Sequence, residues 1–195
     1  MENKKNPIKI AKGASIIGFT INQMIEFQKS HKNQIDPIVS ARSFRFLGRQ
    51  SDILHLYKQS ERYYRQGLEF FESLGRLDQR SQSLELRGFL AFSLLKQNKS
   101  GWFELTQETL SNFNSTLEGN WLIENDYYTW AVWKSGIEIR SSGTLSDSKK
   151  NINQYRENIE TWLKDADSIL QMPNGDKEKF SIRRQELDEV TQKLK

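Results

Sequence analysis

The chain has 195 residues and a formal charge of +4, from 29 Lys/Arg against 25 Asp/Glu, with three prolines and no cysteine. A chain of this length buries roughly 70% of its unfolded surface on folding, so it needs neither disulfides nor a structural metal. The missing cysteine excludes a disulfide framework, thiolate metal sites and a cysteine nucleophile, and fits a reducing compartment.

The segment Ala14 to Ser30 predicts a helix with Ile17, Ile21, Met24 (or Ile25) and Phe27 (or Gln28) along one side. Asp36-Pro37 reads as an N-cap followed by proline in the first turn. The helix it opens is expected to run to about Phe46, with Gly48 as its terminator. A third helix spans about Asp52 to Leu74, with the stripe Ile53, Tyr57, Tyr64, Leu68 and Phe71 and Gly75 at the C-cap. From Gln82 to Gln97 apolar residues fall nearly all round (Leu84, Leu86, Phe89, Leu90, Phe92, Leu94, Leu95), which predicts a central, buried helix. Past the Asn98–Gly101 turn, Phe103, Thr106, Leu110, Phe113 and Leu117 follow a 3-4-3-4 spacing that ends at Gly119. An aromatic-rich helix from Trp121 to Ile139 comes next, then a break at Ser141–Ser146. The most regular stripe begins near Asp147, with Ile152, Tyr155, Ile159, Trp162, Ala166 and Ile169. Pro173-Asn174-Gly175-Asp176 signals a turn before a last helix carrying Phe180, Leu187, Val190 and Leu194.

No window alternates apolar and polar residues as a strand does, so the fold is predicted to be all-α, with seven to eight helices. Short connections imply that they pack as antiparallel helical hairpins, in a bundle or a short repeat-like solenoid. Helices starting near residues 52, 100 and 147 suit repeated hairpins, although the units share little residue-by-residue similarity. The charge divides the chain into a basic N-terminal helical segment, residues 1–50, and a helical-hairpin domain, residues 51–195. The first part holds nine Lys/Arg against three acids, a net +6; the remainder, with 20 Lys/Arg and 22 Asp/Glu, nets −2.

Catalytic residue patterns are sparse. His31 and His55 have no partner at metal-ligand spacing, and no metal or cofactor is expected. The pairs Glu69/Glu72 and Glu157/Glu160 lie between stripe positions, where solvated charges belong. Asp165-Ala166-Asp167 begins like a calcium loop but continues with Ile169 and Leu170 where a ligand and a glycine are required. Gly13 to Gly18 has the gap of a phosphate loop, but Phe19-Thr20 stands in place of Lys-Ser/Thr.

Two N-terminal features point to nucleic acid. Ala14, Gly18, Thr20, Met24 and Phe27 resemble a helix-turn-helix, with Asn22, Gln23 and Glu26 outward; the competing reading is an amphipathic helix with a glycine bend. Arg42, Arg45 and Arg49 share one helical face suited to phosphates, with Phe44 placed to stack on a base and Lys12, Lys29 and Lys32 adding charge. Alternatively, Phe44 is core and the arginines pair with acidic helices. Farther on, Trp121, Tyr127, Tyr128, Trp130 and Trp133 are too many rings for one stripe, which offers either a protein-binding surface or a thick core.

The expectation is a non-enzymatic protein-interaction module, an adaptor or a subunit of a larger assembly. A nucleic-acid-associated protein is the alternative. No run approaches the ~20 apolar residues of a membrane span, and the first residues show no secretory pattern, so a cytoplasmic location without membrane contact is expected.

Overall fold

The computed structural model describes residues 23, 26, 30, 37–74, 80–117, 127–171 and 180–195. Among the described residues there are seven helices and no strand, so the protein is all-α. They are α1 (Pro37–Ile53), α2 (Tyr57–Leu74), α3 (Arg80–Lys96), α4 (Trp102–Leu117), α5 (Tyr127–Leu145), α6 (Lys149–Leu170) and α7 (Ser181–Lys193). Consecutive helices pack as hairpins: α1 on α2, α4 on α5, α5 on α6 and α6 on α7. The chain divides into two compact units, Met1–Arg80 and Ser81–Lys195; the charge boundary at residue 50 falls inside α1.

In the first unit α1 and α2 form one hairpin around Ala41, Leu47, Tyr63, Tyr64, Leu68 and Phe71, all buried. Pro37 is the first residue of α1, where its fixed φ suits a helix start. The expected end at Phe46 is wrong, because α1 runs through Gly48 to Ile53. Gly48 is there for space: a Cβ on it would lie 2.2 Å from Cε1 of Tyr64. The bare backbone admits the α2 ring. The true stop is His55, at φ 59°. Its N–H reaches the Asp52 carbonyl at 3.0 Å and the Leu56 N–H reaches Ser51 at 2.8 Å, the paired bonds of a Schellman turn. Asn98, at φ 54°, closes α3 in the same way, with Asn98 N–H to Leu95 and Lys99 N–H to Leu94.

In the second unit α5 has neighbours on several sides. Gly88 of α3 faces Ile137, with room for a Cβ only 2.3 Å from Cδ1. The Trp130 indole donates to the Phe113 carbonyl of α4 at 3.0 Å. Arg183 of α7 crosses Gly136 and donates from Nε to the Val132 carbonyl at 3.1 Å. The expected break at Ser141–Ser146 is absent up to Leu145: Ser141 and Ser142 are buried within α5. As expected, α3 is buried on most sides, with Leu84, Leu86, Phe89, Leu90, Leu94 and Leu95 in the core.

The inner face of α6 is Ile159, Trp162, Ala166, Ile169 and Leu170. Its first turn holds no acid and begins with Lys149 and Lys150, an unfavourable sign at the positive end of a helix. Ser148 makes no side-chain cap bond, and Tyr155 leaves the helical region (φ −118°, ψ 20°), so α6 is kinked there. At the kink Tyr155 meets Trp102 and Phe103 of α4, both at 5.3 Å between ring centroids. Arg184 donates to the Leu170 carbonyl, one of the orphan acceptors at the end of α6.

Candidate functional site

Helix α1 is apolar on two sides. Inward it offers Ala41, Phe44, Leu47 and Gly48 to α2. Outward, Val39, Phe46 and Ile53 recur every seven residues and remain 49%, 41% and 55% exposed, with Leu56 in the following turn at 46%. A seven-residue repeat keeps side chains in nearly one line along a helix, so these three form a narrow row. Arg42 and Arg49, three residues after Val39 and Phe46, lie about 60° around the helix from that row, and Arg45 lies farther on the same side. Arg42 is exposed; Arg45 and Arg49 are half-buried. On the other flank Ser43 turns its hydroxyl onto the Val39 carbonyl at 2.8 Å. The surface is thus an apolar row with one basic edge and one polar edge.

The row's far end is anchored. Asp52, buried, accepts the Tyr64 hydroxyl at 2.5 Å. The Tyr57 hydroxyl bonds His55 Nδ1 at 2.9 Å, and burial together with the Asp52 charge raises its pKa. Phe44 does not lie on this surface. It is half-buried and stacked on Tyr63 (6.3 Å) and Phe70 (5.7 Å), so the expectation that it stacks on a base is corrected: the ring is part of the hairpin's packing.

The aromatic cluster of α5 is also corrected at its centre. Trp130 is 2% exposed and hydrogen-bonded inside the second unit, so it belongs to the core. Tyr128 is half-buried and stacks on Phe180 at 5.4 Å, and Trp133 is half-buried. Trp121 and the side chain of Tyr127 lie outside the described residues, as do Lys12, Lys29, Lys32 and His31. The helix-turn-helix segment lies outside them too, apart from Gln23 and Glu26, which are helical and exposed.

Residue patterns alone did not reveal the charges beneath Trp130. Lys134 (3% exposed) and Glu138 (1%) pair at 2.5 Å on the buried side of α5. Asp165 of α6 stands 3.9 Å from the ammonium, which also lies 5.9 Å from the centre of the Trp130 ring. Burial, opposed by the charge and hydrogen bond of Lys134 and reinforced by Asp165, pushes Glu138 up to about 7. The i, i+4 spacing of Lys134 and Glu138 was visible, but the same spacing marks most solvated pairs.

A cavity of about 270 Å³ lies between α3, α5 and α7, floored by Phe92, Ile139 and Val190 and edged by Lys96, Arg140 and Asp147. Lys193 bridges to Asp147 at 3.4 Å there, so its rim carries both signs of charge. Glu69, Glu157 and Glu160 face solvent. Among the described residues no three His, Asp or Glu side chains are grouped to hold a metal ion, and no helix is long and apolar enough to cross a membrane.

No protein-family model matches the chain, and neither does any curated protein or solved structure.

Proposed function

We propose that this chain is a non-enzymatic helical interaction module, an adaptor or subunit of a larger assembly, that takes hold of a protein partner through the outward face of α1. The observation that carries this reading is the row Val39, Phe46 and Ile53, three large apolar side chains left in water along one line. Single exposed apolar residues are ordinary on protein surfaces, but an aligned row rimmed by polar groups marks a binding surface. The contact therefore moves from the aromatic helix to α1, because Trp130 is committed to the interior. A reducing compartment is part of the same proposal, and a chain without cysteine is compatible with it.

Phe46→Asp with Ile53→Asp tests it. Both side chains point to solvent, so the melting temperature should stay within a few degrees of the parent. A partner that co-purifies with the parent at stoichiometric ratio should be lost from the double variant. Retention of that partner by a folded variant overturns the reading.

The second reading, nucleic-acid association, is favoured by one observation: Arg42, Arg45 and Arg49 share one side of α1. It loses support from Phe44, whose ring is occupied by Tyr63 and Phe70. On this reading, binding to a nonspecific oligonucleotide falls steeply with salt, and Arg42→Ala, Arg45→Ala and Arg49→Ala together abolish it. No binding by the parent at 50 mM salt, about the low end of the useful range, rejects it.

A further inference from the structure

Resting on the reading of α1 as a docking face, we infer that its occupant is an acidic amphipathic helix of another protein, with an apolar line against Val39, Phe46 and Ile53 and carboxylates against the arginine edge. Width favours a helix. The row is one residue wide, with arginines rather than apolar residues at the alternate positions Arg42 and Arg49. A facing helix closes such a seam along its length. A bilayer surface takes a broad apolar face instead, which α1 has only on the side packed against α2.

Charge selects the partner. Between Pro37 and Ile53 the only acid is Asp52, buried and engaged by the Tyr64 hydroxyl, against three arginines. A second copy of α1 laid antiparallel would set arginine edge on arginine edge. Laid parallel, it would set the arginines opposite the polar edge of Ser43; neither arrangement supplies an anion. A foreign helix with Glu or Asp three and four residues after each apolar contact supplies several. A guanidinium pairs with a carboxylate through two parallel N–H bonds, so acids at those positions match the three cations of α1 in sign and shape. Apolar contact then gives affinity, and the charges give register and reject antiparallel self-pairing.

Three fluorescent synthetic helices of three heptads test the inference on the full-length protein by anisotropy. All carry Leu every seventh residue; the third and fourth positions after each Leu are Glu in one, Gln in the second and Lys in the third. The Glu helix should bind at least tenfold more tightly than the Gln helix at low salt, with the gap closing as salt rises, and the Lys helix should not bind. Arg42→Gln with Arg49→Gln should erase the Glu-over-Gln preference, while Phe46→Asp should weaken both. Equal binding of the Glu and Gln helices overturns the inference yet leaves a docking face intact. If no helix binds, α1 does not hold a helix at all, and the co-purification test above decides whether it holds a protein of another shape. Binding instead to phosphatidylserine vesicles, or to an oligonucleotide in preference to the Glu helix, overturns the inference in favour of those surfaces.

Discussion

At Gly48 a missing methyl group decides how closely two helices approach. Three atoms of the Tyr64 ring lie within 2.7 Å of where a Cβ would stand, and the hydroxyl of that ring is fixed by Asp52. The ring cannot swing aside without breaking a buried hydrogen bond. Gly48→Ala should therefore destabilise the protein by about 1–3 kcal/mol, the usual range for overpacking, even though alanine is the better helix former. Urea titration followed by circular dichroism measures it; a variant as stable as the parent would show that the hairpin opens freely. The same glycine explains a failure of sequence reading. Glycine stands both at helix ends and at close helix crossings, and a string of letters does not distinguish them. Reading it as an end cut the row Val39–Phe46–Ile53 in two and hid the surface. His55 ends the helix instead, in a left-handed conformation that its residue type seldom announces.

Among elements, α6 was legible and α5 was not, for physical reasons. A helix with one buried side writes a period into its sequence, and the Ile159, Trp162, Ala166, Ile169 stripe is buried as that period predicts. A helix with neighbours on several sides loses the period, so its end is misplaced in the sequence reading and nothing there marks its interior charges. Lys134 and Glu138 have an energetic consequence at this scale. Removing one member of a buried pair strands the other, so Lys134→Ala should lose about 3–5 kcal/mol at pH 8. The loss should shrink toward pH 5, where Glu138 takes up a proton. Lys134→Met with Glu138→Leu together should be neutral or stabilising by about 1–4 kcal/mol. Equilibrium denaturation of the two variants separates these outcomes, and equal losses would mean that the pair is not sequestered.

For the whole molecule, Glu138 links stability to pH. Its pKa rises from the ordinary 4.5 to about 7 on folding, so between those values the native state holds a proton that the unfolded chain has released. Stability from this group is complete below pH 4.5 and lost as pH climbs through 7. Glu138→Gln cannot titrate, so the parent should lose about 2–4 kcal/mol relative to that variant between pH 4.5 and 8. Parallel melting-temperature curves for the two would remove Glu138 as the titrating group. Stability is also uneven along the chain. The opening stretch of α6, from Lys149 to the kink at Tyr155, has cations at the wrong pole and no side-chain cap, and is latched by aromatic rings at its end. That stretch should therefore fray before the turns that seat Ile159, Trp162 and Ala166, a loose hem on the second unit that faster amide exchange at 149–154 than at 159–169 would reveal.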